Sequence, residues 1–389
     1  MKMKVYYISP STIPSRSANS IHVANMCEGV SQLGHEVILF AHSNLCNSVS
    51  CQQQLKDSYG IDNSKIKLKI FHSKQNKGIE FFIALYALMH FILGLIKNTA
   101  PQYIISRNLY AAIFLGLLFR VNIIYETHSP EYSFRKKLQK WLLTSNKIKT
   151  VVISEALKKI IQDFHNISSE SIYVFHDAAR DGQLRLSLLQ RKELSQQLLS
   201  NMFNLDDYQK VVGYFGHLYP GRGIEIIEEL AKLNSTCAFV VYGGNEADIE
   251  EYKSRNMSKN LFFMGYIHPK KVHKAMVMMD VLLMPYQKSV SIGIKGVDTS
   301  NWMSPMKLFE YLSAGVPIIS SNISVLKEVL IDGENCLLVE PDDVNSWSIA
   351  LQNIISNAEL EEKLGFNAYN LYKDKYTWKH RAKGMLTLI

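Results

Sequence analysis

The sequence predicts an α/β protein made of two doubly wound, Rossmann-like domains facing a cleft. Three observations carry that expectation. The chain has 389 residues, 47% of them hydrophobic and 20% charged. At roughly 100–200 residues per domain, this length suits two domains. Short apolar runs rich in Val and Ile alternate with helical stretches in both halves, which is the pattern of a parallel sheet covered on both faces. A polar, strand-poor segment at 181–209 separates the two series and reads as the linker. Twenty Gly and ten Pro, without periodicity, exclude collagen-like and Pro-rich architectures.

In order, residues 5–9 read as the first strand, 20–33 as a helix closed by Gly34, and 36–41 as the next strand. Strand 66–71 is followed by an apolar helix at 81–96, strand 103–106, helix 111–119 and strand 122–126. A short basic helix at 135–143 precedes strand 150–153. The second half repeats the logic with strand 211–215, helix 223–233 and strand 238–242, which ends in Gly243-Gly244. Strands 261–264 and 281–284 follow, then helix 305–313 and strand 317–320. The expected domains are 1–200 and 207–372. In such sheets ligands sit beyond the carboxyl ends of the strands.

Residues 1–199 carry 24 Lys+Arg against 13 Asp+Glu, or +11, and the remainder carry 19 against 22, or −3. The first half therefore faces something negative, and nucleic acid and an anionic membrane surface both qualify. Zinc spacing, RNP aromatics and basic heptads are all missing, so no nucleic acid partner is expected. The apolar run 81–96 lacks formal charge but is shorter than the about 20 residues a span requires. It reads as a buried or partly lipid-facing helix. The cysteines (Cys27, Cys46, Cys51, Cys237 and Cys336) form no CxxC and fit no disulfide framework, which suits a reducing cytoplasm. The N-terminus reads as a strand rather than a secretory signal.

The strongest local signal runs from Ser304 to Pro317. Ser304 suits an N-cap and Pro305 the first helical position, while Gly315 and Pro317 stop the helix. A helix N-terminus favours an anion. Ser304, Lys307 and Glu310 recur every three residues and share one face, with a hydroxyl and an ammonium for phosphate and a carboxylate for a ribose diol. That combination suits a nucleoside diphosphate. On spacing alone, a surface Lys–Glu pair on a capped helix fits equally. A second signal, 213–223, is a strand leading into a Gly-rich turn with Gly216, His217 and Arg222. The glycines permit close backbone approach, and Arg222 offers a planar fork for phosphate oxygens. A plain turn histidine is the other reading of His217. A third signal, Tyr125-Glu126-Thr127-His128, ends an apolar strand where functional side chains are presented, although a loop-capping histidine fits nearly as well. In the first strand-to-helix loop, Ser17, Ala18 and Asn19 either line a cleft or cap the helix.

The missing motifs narrow the chemistry. There is no DxD, no His/Cys cluster for zinc and no GxSxG. No metal and no cofactor are expected, so phosphate charge falls to Arg222, Lys307 and backbone N–H groups.

Taken in order, these segments resemble glycosyltransferase family 4, whose fold is GT-B. The resemblance rests on seven motifs across nearly the whole chain: Leu33-Gly34-His35-Glu36-Val37, the YETH at 125–128, VISE at 152–155, GHLYPGRG at 216–223, FFMGYIHPKKV at 262–272, SPMKLFEYLSAGVPII at 304–319 and DGENCLL at 332–338. It implies that Glu310 holds the ribose hydroxyls. Arg222, where the family usually has Lys, meets the diphosphate together with Lys307 and the backbone of Met306 and Leu308. Ile267 lies beside the base, His128 beside the transferred sugar, and 17–19 line the cleft. It also implies that 373–389 crosses back to the first domain. Two positions depart from the family: Trp302 stands where a second glutamate is frequent, with Asp298 as a substitute carboxylate, and His217 replaces an Arg.

The resemblance implies retaining transfer of a sugar from a nucleotide-sugar donor, with front-face departure and attack. The expected acceptor is a lipid-linked or envelope polysaccharide glycan, as in bacterial-type surface polysaccharide synthesis. The acceptor is expected on the positive N-terminal domain. The basic, partly apolar segment Arg135, Lys136, Lys137, Lys140, Trp141, Leu142 and Leu143 suggests a cytoplasmic enzyme peripheral on the inner face of the membrane. A solvated helix face reads that segment equally well. The competing class is a catalytically inactive nucleotide-sugar-binding or membrane scaffold of the same fold, favoured by Trp302 and His217. A nucleotide-sugar epimerase of similar fold ranks below it.

Overall fold

Two all-parallel sheets organise the chain. The first contains β1 (Lys4–Thr12), β2 (Glu36–Ser43), β3 (Ile66–His72), β4 (Tyr103–Ser106), β5 (Ile123–Glu126), β6 (Ile148–Val152) and β7 (Ile172–Val174), in the spatial order β3-β2-β1-β4-β5-β6-β7. The second contains β8 (Lys210–Phe215), β9 (Cys237–Tyr242), β10 (Leu261–Gly265), β11 (Val281–Met284), β12 (Ile318–Ser321) and β13 (Leu337–Val339), in the order β10-β9-β8-β11-β12-β13. This computed structural model describes all residues except 1, 44–47, 62–64, 74–77, 120, 169, 201, 256–257 and 292–297. Both sheets have the doubly wound order, so each has one point where the winding reverses, β1/β4 in the first and β8/β11 in the second.

The helices of the first sheet are α1 (Ala18–Gln32), α2 (Ser48–Tyr59), α3 (Ile79–Ile96), the short α4 (Leu109–Ala111), α5 (Ser133–Leu143) and α6 (Glu155–His165). Right-handed crossovers put α1 and α2 on one face and α3 to α6 on the other. The second sheet carries α7 (Leu188–Leu199), α8 (Ile224–Leu233), α9 (Glu246–Arg255), α10 (Pro269–Met276), α11 (Met306–Ala314), α12 (Val344–Ser356) and α13 (Ala358–Lys375). The last helix, α14 (Trp378–Leu386), packs on α1. Strands covered on both faces need no alternation, which is why Val5, Tyr7, Ile8, Ile123 and Ile124 are all fully buried neighbours or near-neighbours.

The chain divides into Met1–Asp181 with Tyr376–Ile389, and Gly182–Lys375. The expected boundary at 200 is therefore corrected to 181. Residues 182–200 belong to the second unit because the buried Arg191 of α7 pairs with Glu361 of α13 at 3.1 Å and Ser195 donates to the Met278 carbonyl at 2.6 Å. The expected linker thus contains the 12-residue helix α7, and its polar surface disguised it. The expected returning segment begins at Tyr376 rather than 373. Helix 111–119 is also corrected: after α4 the backbone widens into a π-helix over Ala112–Leu118. Gly116 faces the sheet there, and a Cβ on it would lie 2.8 Å from the Ile123 side chain. In α3, Ile83, Ala84, Ala87, Phe91 and Gly94 are buried, Ile79, Tyr86 and Leu88 pack half-buried against the same core, and Phe81, Phe82, Leu85, Met89, Ile92, Leu93, Leu95 and Ile96 are exposed.

Candidate active site

In the C-terminal unit the turn 216–223, the end of β11 and the start of α11 meet at the β8/β11 reversal. Tyr311 pins α11 there. Its hydroxyl accepts the Phe215 N–H at 2.9 Å and donates to the Leu283 carbonyl at 3.2 Å. The turn is possible because of its glycines. Gly221 and Gly223 have φ of +81° and +80°, and a Cβ on either would collide with the Ser289 or Pro285 carbonyl. At Gly216 a Cβ would sit 2.6 Å from Lys307 Nζ.

Lys307 and Arg222 converge at this point. The Lys307 ammonium is buried without a hydrogen-bond partner, 3.9 Å from the Tyr214 ring centroid and 5.1 Å from that of Tyr286. Burial and the neighbouring Arg222 hold its pKa well below the ordinary lysine value, and Glu310 only partly opposes them. Arg222 Nη1 donates to the Tyr286 hydroxyl at 2.8 Å, and its Nε is buried and unpartnered. Glu310, half-buried, lies one turn further along α11. His217 stacks on Tyr219 at 4.7 Å, and burial, Arg222 and Lys307 all lower its pKa. The site thus brings together two cationic groups whose buried donors, Lys307 Nζ and Arg222 Nε, have no hydrogen-bond partner in the protein. A buried ammonium is costly unless paired.

Three expectations change. Ser304 does not cap α11; the helix begins at Met306 with Pro305 at the cap position, ψ 121°. Pro305 is extended while its carbonyl already accepts the first helical bond, so it takes the cap position itself and the buried Ser304 lies one residue outside. The Leu308 N–H is already donated to the Pro305 carbonyl at 2.9 Å, so only Met306 and Lys307 stand at the open helix end. Asp298 is committed to the backbone, accepting the Val290 and Ser300 N–H groups at 2.9 Å each. Ile267 lies half-buried in the loop after the edge strand β10.

In the N-terminal unit, Ser17 caps α1 by accepting the Ser20 N–H at 3.3 Å, and Asn19 donates to Ser11 Oγ at 2.8 Å. Ser17, Ala18 and Asn19 are exposed at the helix start. His128, at the end of β5, donates through Nε2 to Glu126 and accepts Arg107 Nη2 at Nδ1, both at 3.0 Å. A guanidinium can only donate, so the tautomer is fixed. Burial and Arg107 lower the His128 pKa to about 4. The imidazole is neutral at neutral pH, and both of its nitrogens are in use. Glu126 is fully buried and also contacts His22 at 2.8 Å, Arg381 at 3.0 Å and the Tyr7 hydroxyl at 3.1 Å. Burial opposes its ionisation, but Arg381, His22 and His128 outweigh it and hold its pKa well below the usual range. Asp177 closes the cluster, 3.0 Å from His22.

His22, Glu126 and His128 offer donor atoms within 4.8 Å of one another, the one set of three potential ligands found among the described residues. Two guanidiniums already occupy this set, Arg381 on Glu126 and Arg107 on His128. A cation there would meet like charge, so the donor set fits an ion-pair network better than a metal.

Two family models divide the chain between them. Residues 20–178 match Glycosyltransferase Family 4 and 195–371 match Glycosyl transferases group 1. Each unit thus carries a glycosyltransferase domain, and the fold is GT-B. An uncharacterized glycosyltransferase of Methanocaldococcus jannaschii is 21% identical over 62% of this glycosyltransferase and 60% of its own length. This chain thus spans about three fifths of the curated relatives it first matches. Among solved structures, a glycosyltransferase from Rickettsia africae superposes with TM-score 0.72 at 12% identity, covering 100% of this chain and 97% of that one. Anabaena HepE, in complex with UDP and glucose, gives 0.68 at 15%, covering 99% of each. These likenesses concern the fold.

Motif reading found Glu126 and His128, but not the rest of the cluster. His22, Arg107, Asp177 and Arg381 were singled out by no motif. Three are separated from Glu126 by long stretches of chain, and only burial of unlike charges signals them.

Proposed function

We propose that this glycosyltransferase moves a sugar from a nucleoside diphosphate sugar to a hydroxyl of a glycan or lipid-linked acceptor, with retention at the anomeric carbon, in surface polysaccharide synthesis. The observation that carries the reading is the pair of unsatisfied cationic groups, Lys307 and Arg222, at the β8/β11 reversal. A diphosphate accepts hydrogen bonds from both groups, and Glu310, one turn deeper, suits a ribose diol.

In the proposed reaction the bond between the anomeric carbon and the diphosphate oxygen breaks, and its electron pair goes to that oxygen. Lys307 and Arg222 stabilise the growing charge, more in the transition state than in the ground state. The acceptor oxygen attacks the same face, and its proton passes to the departing phosphate oxygen. Glu126 is sealed under Arg381, His22 and His128, so it is no covalent nucleophile, which favours front-face transfer. With both nitrogens engaged, His128 acts as a fixed wall rather than as a base. The SPxKxFEY form of the α11 motif, with Trp302 eight residues before Glu310, places the donor-sugar contacts elsewhere than on a second glutamate.

Thermal stabilisation by UDP, GDP, ADP and CMP, compared between wild type and Glu310→Ala, tests the site. UDP is the first to try, since HepE binds it. The expected result is one nucleotide that stabilises wild type and is weakened in the variant, while inorganic pyrophosphate stabilises both alike. No response to any nucleotide overturns the reading. The second reading, an inactive sugar-nucleotide scaffold, is favoured by the disfavoured proton on His217 and the committed Asp298. It predicts stabilisation by nucleotide with no release of nucleotide from the sugar donor.

A further inference from the structure

The outer face of α3 is a continuous apolar surface. Phe82, Leu85, Met89, Ile92 and Ile96 follow one another at three- and four-residue steps and are each 39–73% exposed. That spacing is a single helical stripe, about 20 Å long at 1.5 Å per residue. Between Glu80 and Lys97 the helix has no formal charge. Leu118 and Phe119, at the end of the π-helix, extend the surface, with Phe119 against Phe91 at 5.4 Å. Soluble monomers rarely expose apolar patches beyond a few hundred Å².

The opposite face of α3 holds it flat against the sheet. Ile83, Ala84, Ala87 and Phe91 are fully or almost fully buried in one cluster with Tyr6, Ile8 and Phe40. Crossing a bilayer would strip that face from the core, so the stripe faces outward without the helix inserting across. Two further elements share this layer. On α5, Phe134, Lys137 and Trp141 are exposed along one line. Arg135 ties α5 to α3 through Glu80 at 2.6 Å and also binds Glu131 at 2.6 Å, so both carboxylates are paired and the triad carries a single net negative charge. On the edge strand β3, Phe71 stacks on Phe82, and Lys69 acts on His90 of α3, so Lys69 borders the stripe as well.

We propose that this layer is a docking surface for an anionic phospholipid bilayer, with the α3 stripe as the apolar wedge and Lys69, Lys97, Lys137 and Lys140 as its cationic rim. An interfacial helix presents this arrangement, in which apolar side chains enter the acyl boundary while lysines meet headgroup phosphates. Charge separates this occupant from a second copy of the chain. A two-fold contact would bring the lysine rim against itself, whereas an anionic surface neutralises it. The inference stands on the N-terminal unit alone. It deepens the proposed function only by giving the acceptor side a lipid surface.

The test is flotation of the full chain with phosphatidylglycerol-containing vesicles and with pure phosphatidylcholine vesicles. Wild type is expected to float with the anionic vesicles at low salt and to be released at about 0.5 M salt, where screening is short-ranged. Leu85→Gln/Met89→Gln/Ile92→Gln and, separately, Lys137→Glu/Lys140→Glu are expected to lower partition at least tenfold, with unchanged melting. All five positions are exposed, so the variants fold. Trp141→Ala gives an independent reading from α5. The proposal falls if wild type stays with neither vesicle or if the triple variant floats like wild type. It also falls if the triple variant instead dissolves a concentration-dependent dimer, or if bound protein resists alkaline carbonate. Nucleotide-induced melting shifts are measured on the same samples: vesicle binding without any nucleotide response keeps this surface and removes the proposed reaction.

Discussion

Replacing Lys307 by Met separates the two costs that this side chain carries. In the free protein its ammonium is buried between the Tyr214 and Tyr286 rings with no hydrogen-bond partner. Its folded pKa is lowered, so the unfolded chain binds more protons, and stability rises with pH from the folded value up to the ordinary lysine value. Met fills similar space without a charge, so Lys307→Met is expected to melt at the same or a higher temperature near neutral pH and to lose that pH dependence. Ligand binding is expected to move the other way. A hydrogen bond to a charged group contributes about 1.5–3 kcal/mol, which corresponds to a roughly tenfold to hundredfold weaker diphosphate. Ligand at about 100 times the wild-type Kd stabilises wild type by about 2.7 kcal/mol, and in the variant that falls to about 1.4 to 0.4 kcal/mol. For a unit of this size the wild-type shift is about 5–11 °C. The assay is a thermal melt with and without nucleotide across neutral to alkaline pH. A variant that melts lower when free, yet keeps the full nucleotide shift, refutes the argument, because Lys307 would then be a structural cation and not the anion's partner.

Other outcomes follow from the same geometry. Diphosphate binding should raise the Lys307 pKa back toward the ordinary lysine value, so proton uptake on binding is expected as pH rises through the lowered folded value; calorimetry in buffers of different ionisation enthalpy across neutral to alkaline pH measures it, and Lys307→Met should remove it. Glu126→Gln should cost about 3–5 kcal/mol by leaving Arg381 buried and unpaired. The carboxylate's depressed pKa contributes stability above the ordinary glutamate range, lost as pH falls through the folded value, so the variant's acid denaturation curve should be shallower than wild type's. Gly223→Ala should abolish nucleotide-induced stabilisation, since its φ of +80° and the Pro285 carbonyl leave no place for a Cβ. Gly29→Val should loosen α14 from α1 and lower the melting temperature of the N-terminal unit, because even a Cβ there comes 2.5 Å from the Trp378 carbonyl oxygen.

Most of the architecture was legible because parallel strands covered on both faces leave unbroken apolar runs, such as 211–215 and 238–242, bounded by turn residues. The helical 188–199 was not, since few of its side chains are buried and its attachment depends on Arg191 finding Glu361. The same holds in the candidate site. Gly216, Arg222, Lys307 and Glu310 stand in two short motifs, one of them a helix start, where spacing alone puts groups on one face. The exposed stripe of α3 was half legible: the run at 81–96 showed its apolarity, but only packing shows which side the sheet takes.

The sequence by itself determined the alternation of strand and helix and the glycine turn, because each depends on neighbours a few residues apart, and the charge imbalance between the halves, which is a sum over composition. Tertiary structure alone decided the protonation and pairing of the key groups. His128 is neutral with a fixed tautomer, Glu126 is sealed by an arginine more than 250 positions away, and Lys307 is an ammonium without a partner. The physical reason is that desolvation and Coulomb terms depend on distance in space and on burial, and spacing along the chain encodes neither.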